Sequence, residues 1–195
     1  MKIIVVSPEK NVKNEAAIVE ALFLRGLTNF HLRKPDFTEE QVIIYLKQIS
    51  PEFHNSIILH SHHHLSERYN VKGFHYTAKM RTLMPKLDNR LHNSTSFHEL
   101  DELKHNKLPY TYVFLSPIFP SISKLGYEKQ FPQDKVRKAL DSTTIKVVAL
   151  GGIDVDKLDE VKEMGFAGAA ILGAIWNEPD PLAKFEFIKK KADAL

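Results

Sequence analysis

A short apolar run followed by a helical pattern recurs eight times along this chain, and no other feature limits its possible folds as strongly. The first run, Lys2 to Val6, contains four consecutive β-branched residues. Unbroken apolar runs of this kind are typical of strands buried on both faces of a parallel sheet. Because connections between parallel strands are right-handed, the pattern predicts a single (β/α)₈ TIM-barrel domain over residues 1–195. An open doubly wound sheet is the alternative, but the turn Ser7-Pro8-Glu9-Lys10 lacks the glycine-rich loop of that fold.

The boundaries of the elements follow from the apolar runs and from capping residues between them. The predicted strands cover residues 2–6, 30–33, 57–60, 73–76, 90–94, 112–115, 146–150 and 169–172. Thr38 and Gln41 predict a capping box for the second helix, and Asp154 predicts the start of the helix over 157–164. Ser96 is placed as the cap of a helix over 97–104.

Composition excludes several classes of function. The chain has 27 basic and 24 acidic residues, a formal net charge of +3, which is a mixed surface and predicts no nucleic-acid partner. It has no cysteine, which excludes disulfides and thiolate chemistry and fits a cytoplasmic protein. No apolar stretch is long enough to span a bilayer, so we expect no membrane association.

Glycines follow the last two predicted strands. Gly151-Gly152 comes after strand seven and Gly173 after strand eight. Only glycine lets backbone N–H groups approach a phosphate without a Cβ between them, and barrels often bind phosphate at this pair of strands. The alternative is that these glycines only make tight turns. The spacing favours a phosphate site.

Cationic side chains are placed to help bind an anion. His31 and Arg33 share parity on strand two, so both are predicted to face the barrel mouth, where arginine is often an anion ligand. Lys124 follows Ser121 and Ser123 on the loop after strand six, from which it can reach an anionic ligand. A solvated loop lysine is the alternative for Lys124.

Histidines are numerous, ten in all, and five of them fall at or just past the ends of strands two to five. These five are His31, His60, His62, His75 and His92. Inward carboxylates are scarce nearby and the spacing is not specific for a metal, so we assign no metal ligand. A metal site and acid–base chemistry nevertheless both fit residues of this type.

Taken in order, these segments resemble the thiamine phosphate synthase and thiazole tautomerase family over about residues 2–176. The strand-six loop, Ser116-Pro117-Ile118-Phe119-Pro120-Ser121-Ile122-Ser123-Lys124, is similar to that family's Gly-Pro-Ile-Phe-Pro-Thr-x-Thr-Lys. The other similar segments are Phe30-His31-Leu32-Arg33, Gly73-Phe74-His75, Ala149-Leu150-Gly151-Gly152-Ile153 and Leu172-Gly173-Ala174-Ile175.

The resemblance implies a (β/α)₈ barrel of thiamine biosynthesis with a small phosphorylated thiazole as its ligand, and it implies a homo-oligomer. The synthase of this family joins hydroxymethylpyrimidine diphosphate to a thiazole phosphate with the help of Mg²⁺. The tautomerase moves a proton on a thiazole phosphate carboxylate.

Departures from the family pattern fall on the diphosphate half of the site. The Asn-Asp motif after strand three is here His60-Ser61-His62, and the Gly-Gln-x-Asp after strand four is Thr77-Ala78-Lys79-Met80. A family lysine is replaced by Pro35, and the serine of strand five corresponds to Asn93. Both carboxylates that hold Mg²⁺ are absent, which predicts weak Mg²⁺ binding. The tautomerase's acid–base histidine position is Pro117.

These observations favour proton transfer on a thiazole phosphate. The alternatives are a thiamine-phosphate synthase and a thiazole-phosphate-binding protein without catalysis. We expect no cofactor, with Mg²⁺ required only for the synthase. The predicted proton carriers are His75 and, second, His31, because histidine titrates near neutrality. The predicted binding residues are Arg33, Asn93, His62, Ser121, Ser123, Lys124, Gly151, Gly152 and Gly173.

Overall fold

Eight parallel strands close into a barrel in the computed structural model, which describes residues 1–83, 86–120 and 131–195. Each strand is hydrogen-bonded to the next in sequence, and the eighth pairs with the first through Lys2↔Gly168 to Val5↔Ile171. The strands are β1 Lys2–Val6, β2 Phe30–Leu32, β3 Ile57–Leu59, β4 Gly73–Tyr76, β5 His92–Phe97, β6 Tyr112–Leu115, β7 Val147–Leu150 and β8 Gly168–Ile171. The predicted (β/α)₈ fold is confirmed.

Helices connect the strands on the outside of the barrel. In the described ranges the α-helices are α1 Glu15–Leu24, α2 Glu39–Lys47, α3 Ala78–Thr82, α4 Leu100–His105, α5 Gln133–Asp141, α6 Leu158–Glu163, α7 Gly173–Trp176 and α8 Pro181–Asp193. Within the same ranges, three 3₁₀ helices cover Pro51–Ser56, His63–Glu67 and Val155–Lys157. No helix within these ranges has both the length and the apolar character needed to cross a membrane.

Capping side chains set two of the helix starts as predicted. The Thr38 hydroxyl accepts the amide of Gln41, and the Gln41 side chain accepts the amide of Thr38 at 2.8 Å, which is a complete capping box. Asp154 accepts the amide of Val155 at 2.6 Å and caps the 3₁₀ turn that runs directly into α6. Both connections are thereby fixed by local sequence.

Strand β5 was placed wrongly by the sequence pattern. It runs to Phe97, three residues beyond the predicted end, so Ser96 lies in the strand, and the following helix begins at Leu100 after a Glu99–Glu102 capping box. The pattern misled because the middle of β5 is hydroxyl-rich rather than apolar. Those hydroxyls are satisfied by the neighbouring strand, since Thr95 Oγ1 donates to the carbonyl of Tyr76 at 2.6 Å.

The barrel interior has an apolar layer below its carboxyl-terminal mouth. This inner cluster consists of the buried residues Ile4, Val6, Ile58, Tyr112, Phe114, Val148 and Ala170. A larger apolar core fills the space between the strands and the surrounding helices. The inner layer closes the barrel from below, so the space above it is the natural place for a ligand.

Candidate active site

A cavity of about 360 Å³ opens at the carboxyl ends of the strands. Apolar side chains form part of its wall, among them Phe114, Leu150 and Leu172. The polar residues and glycines around it come from most of the strand ends: Glu9, Arg33, His60, His75, Thr77, Ser96, His98, Ser116, Gly151, Gly152 and Gly173. This mixture of apolar walls and convergent polar groups is typical of small-molecule sites.

The glycine turn after β7 has backbone geometry that other residues rarely adopt. Gly151 and Gly152 have φ of 98° and 63°. A Cβ on Gly152 would lie 2.4 Å from the carbonyl oxygen of Pro120, so the strand-six loop packs directly on this turn. The turn therefore needs glycine for its own structure, and both glycines also line the cavity. Their predicted role in phosphate binding stays a prediction.

Gly173 lies at the start of α7, on the same side of the cavity. The first amides of any helix have no partner within the helix, so they are available to an anion. Gly152 and Gly173 thus lie where the sequence predicted them, at the ends of adjacent strands β7 and β8.

Arg33 lies just past β2 and reaches the cavity as predicted. Its Nη1 donates to Glu9 Oε1 at 2.5 Å, and both side chains are about two-fifths exposed. Glu9 also lines the cavity. An anionic ligand that binds Arg33 must therefore compete with this carboxylate.

Three histidines from neighbouring strands meet at the cavity floor. His31 Nδ1 lies 2.9 Å from His60 Nε2, and His31 Nε2 lies 2.5 Å from the hydroxyl of Tyr112. The two ring nitrogens of His75 lie 3.0 and 3.1 Å from the hydroxyls of Ser94 and Ser96.

These histidines differ in their access to a ligand. His60 and His75 line the cavity, whereas His31 has no exposed surface and lies beneath them. His75 is therefore placed to touch a ligand, while its predicted catalytic role stays a prediction, and His31 can act only through its neighbours. Sequence analysis did not select His60 for a catalytic role, although its place just past strand three was the available signal.

Burial holds all three histidines in the neutral form. It lowers the pKa of His31 and His60 well below the usual value, and lowers the pKa of His75 to about 3. The positive charge of Arg33 adds to the effect at His60 and His75. At neutral pH each ring therefore offers one lone pair and one N–H.

Two predicted binding residues lie elsewhere. Asn93 is the second residue of β5, and its Nδ2 donates to the carbonyls of Asp88 and Leu91 at 2.8 and 3.0 Å, so it braces the preceding turn. Because β5 is longer than predicted, Ser96 lines the cavity instead. His62 donates from Nε2 to the carbonyl of Phe37 at 3.1 Å and is not part of the cavity wall.

The remaining site residues fall into two groups, those outside the described residues and those that the sequence did not predict. Ser121, Ser123 and Lys124 lie outside the described residues. Glu9 and His98 line the cavity but were not selected from the sequence. Glu9 lies in the connection after β1, and His98, which directly follows β5, fell inside the helix predicted over 97–104.

The side chains present do not fit the Mg²⁺ that the resemblance implies. Mg²⁺ needs oxygen ligands, usually including a carboxylate. The positions after β3 and β4 carry imidazole, hydroxyl and thioether groups, at His60, Ser61 and Met80. Among the described residues that line the cavity, Glu9 is the single carboxylate, and Arg33 already engages it.

Fold and cavity together define a (β/α)₈ barrel protein with a small-molecule site at the carboxyl ends of its strands. Residues 3–175 match the family model described as thiamine monophosphate synthase. The chain belongs to that family.

Known relatives agree with this assignment. The structure of thiamine phosphate pyrophosphorylase from Bacteroides thetaiotaomicron superposes with a TM-score of 0.84 at 35% identity, covering 99% of this chain and 98% of that one. A thiamine-phosphate synthase of Desulfitobacterium hafniense strain Y51 is 26% identical over 167 residues, which is 81% of this chain and 80% of that protein. The Vibrio campbellii thiamine-phosphate synthase is 32% identical, but over only 43% of this chain and 41% of its own length.

Proposed function

We propose that this protein binds a thiazole phosphate in the cavity and joins it to hydroxymethylpyrimidine diphosphate, forming thiamine phosphate. The similarity that carries the proposal is the 35% identity, over nearly the whole chain, to a thiamine phosphate pyrophosphorylase. The sequence alone favours proton transfer, with this coupling as the alternative. The names of the relatives favour coupling.

In this proposal, different residues bind the phosphate and the ring of the thiazole phosphate. The backbone of Gly152 and Gly173 holds the phosphate at the ends of β7 and β8, where dipoles and free amides favour an anion. Phe114 and Leu150 form apolar wall against which the thiazole ring rests. Arg33, released from Glu9, supplies positive charge beside the anionic groups.

Coupling forms one bond between the thiazole nitrogen and the methylene carbon of the pyrimidine, and breaks the bond from that carbon to the diphosphate. The diphosphate leaves with the electron pair of the broken bond. The chain contributes orientation of the two reactants and positive charge near the leaving group.

Proton transfer on a thiazole phosphate carboxylate is the second candidate, and the composition of the cavity favours it. The described wall contains three histidines, of which burial keeps His60 and His75 neutral, and a single carboxylate. A neutral imidazole has a lone pair that accepts a proton and an N–H that donates one. Burial lowers the pKa of both rings, so the expectation that they titrate near neutrality is wrong for the free protein, and this weakens them as proton carriers. In this candidate His60 and His75 replace the sequence-based pair of His75 and His31, because His31 does not reach the cavity.

One set of assays separates these candidates. Purified protein is incubated with thiazole phosphate and pyrimidine diphosphate, with and without Mg²⁺, and thiamine phosphate is measured; separately, the thiazole phosphate carboxylate tautomer is followed by NMR. Formation of thiamine phosphate supports the proposal. Tautomer conversion without coupling supports the second candidate instead. Saturable binding of thiazole phosphate without either reaction would indicate a protein that binds this ligand without catalysing its conversion.

A further inference from the structure

The histidine cluster at the cavity floor brings three potential metal ligands to one point. His31 and His75 lie in β2 and β4 and His60 directly follows β3, and one ring nitrogen of each lies within 4.8 Å of the other two. The rings of His60 and His75 are stacked, with centroids 4.1 Å apart. In chain order the three are separated by 29 and 15 residues, so the cluster is a product of the barrel and not of a local motif.

We infer that His31, His60 and His75 bind one divalent transition-metal ion of the zinc type, with a fourth coordination position open to the cavity. Imidazole nitrogen is a preferred ligand for zinc and poor for Mg²⁺, so the same positions that disfavour Mg²⁺ suit this ion. Three protein ligands with one open position is the arrangement of catalytic rather than structural zinc. The inference does not depend on which reaction the protein catalyses.

The three ligand nitrogens lie within 4.8 Å of one another, and the nitrogens of His31 and His60 are closer together than an ion requires. Two nitrogen ligands of tetrahedral zinc lie roughly 3.4 Å apart when each is about 2.1 Å from the metal. His31 Nδ1 and His60 Nε2 are 2.9 Å apart and share one proton. An ion takes the place of that proton after these two rings move apart and the His75 ring, which is stacked on His60 at an interplanar angle of 15°, rotates to point a lone pair at the ion.

Outer hydrogen-bond partners are present for two of the ligands, His31 and His75. If His31 coordinates through Nδ1, its Nε2 carries a proton and donates to the hydroxyl of Tyr112 at 2.5 Å. His75 coordinates through one nitrogen while the other donates to Ser94 or Ser96. Metal-bound histidines almost always have such a partner on the second nitrogen, and it fixes the ring.

Electrostatics around the cluster permit a cation. All three imidazoles are kept neutral by burial, so their pKa values lie below the usual range and no proton competes near pH 7. Arg33 acts on both His60 and His75, and its charge is offset by the salt bridge to Glu9, whereas Lys2 acts on His31 and Arg81 on His75. Since His60 and His75 line the cavity, the fourth position faces the ligand space.

Direct metal titration of the full chain tests this inference. The protein is stripped with EDTA and then titrated with Zn²⁺ in a calorimeter and with Co²⁺ in a visible spectrometer. We expect one ion per chain and the intense visible absorption of tetrahedral Co²⁺. His60→Gln and His75→Gln should each weaken binding by more than the ~10–100-fold that loss of an outer partner costs, and Tyr112→Phe by about 10-fold.

A control addresses the adjacent histidines of the segment after β3, which are able to bind transition metals by themselves. The double variant His62→Gln/His64→Gln changes two rings that lie outside the cavity and should bind Zn²⁺ as wild type does. Circular dichroism confirms that each variant is folded. Absence of saturable binding to the wild type overturns the inference, and so does binding that survives His60→Gln and His75→Gln or that is lost in the double variant.

Discussion

Gly173 offers the sharpest test of the phosphate site at the level of a single residue. It lines the cavity at the first position of α7. Gly173→Asp adds both bulk and a negative charge beside the expected phosphate, whereas Gly173→Asn adds nearly the same bulk without the charge. We expect Gly173→Asp to abolish binding of thiazole phosphate in calorimetry, and Gly173→Asn to weaken it less. Equal affinities for the two variants would mean that no anion binds at this turn.

In the free protein Glu9 forms a salt bridge with Arg33. Removal of the Glu9 carboxylate is therefore predicted to raise, rather than lower, the affinity for an anionic ligand. The carboxylate and the guanidinium are joined at 2.5 Å, so a ligand phosphate must displace Glu9 before it binds Arg33. Glu9→Gln leaves a weaker, neutral partner and should raise the affinity for thiazole phosphate several-fold, since exposed ion pairs contribute up to about 1 kcal/mol. A fall in affinity, measured by calorimetry, would show that Glu9 itself supports the ligand. Arg33→Gln is the companion variant, and it should weaken binding.

At the scale of elements, a buried ion pair ties the end of β2 to α1 and α2. Lys34 Nζ donates to Glu15 Oε2 at 2.6 Å, and the hydroxyl of Tyr45 donates to the other oxygen at 3.0 Å. Lys34 is 2% exposed and Glu15 is 6% exposed. Burial, together with the neighbouring Glu15 carboxylate, raises the pKa of Tyr45 well above its usual value.

Removing one partner of this ion pair should lower the free energy of unfolding far more than removing both partners. Lys34→Met leaves the Glu15 carboxylate buried without its counter-ion, so we expect the free energy of unfolding to fall by about 3–5 kcal/mol. The double variant Lys34→Met/Glu15→Leu should recover much of that loss. Urea unfolding measures both, with Lys104→Met as the exposed control, for which a change of at most about 1 kcal/mol is expected. A double variant no more stable than Lys34→Met would contradict the expectation.

The sequence predicted those elements whose patterns are local. Strands β1, β4 and β6 have the expected bounds, because an apolar run between turn signals is a property of adjacent residues. The capping box of α2 was likewise predictable from Thr38 and Gln41. Strand β5 was not, because its inward serines look like a loop until the barrel supplies partners for their hydroxyls. The displacement of Asn93 from the site follows directly from that error.

At the scale of the molecule, the site depends on closure of the barrel. The glycine turns were predictable because β7 and β8 are consecutive and each glycine follows its strand directly. The histidine cluster was only partly predictable. Parity placed His31 on the inside, but its depth beneath His60 and its contact with Tyr112, a residue of β6, require the closed barrel. Side-chain depth along the barrel axis is not encoded in any short segment.

The buried histidines also make the stability of the whole protein sensitive to mild acid. In the native state the pKa of His75 is about 3, whereas an unfolded histidine has a pKa of about 6.5. Above pH 6.5 both states are neutral at this site and the full stability is present. As the pH falls below 6.5 the unfolded chain binds a proton that the native chain does not, so the free energy of unfolding decreases, down to the native pKa.

The loss of stability in mild acid, and the pH range over which it occurs, can be measured in protein kept metal-free with EDTA. At pH 5 the contribution of His75 alone amounts to about 2 kcal/mol, at 1.36 kcal/mol per pH unit below the unfolded pKa. Urea unfolding between pH 7 and pH 5 should therefore show a falling stability in wild type and a shallower fall in His75→Gln, whose amide still reaches Ser94 and Ser96. His105→Gln, at an exposed position of α4, should retain the wild-type slope. Identical slopes for all three proteins would mean that His75 is as readily protonated in the native state as in the unfolded chain, and hence that the cavity floor is open to water.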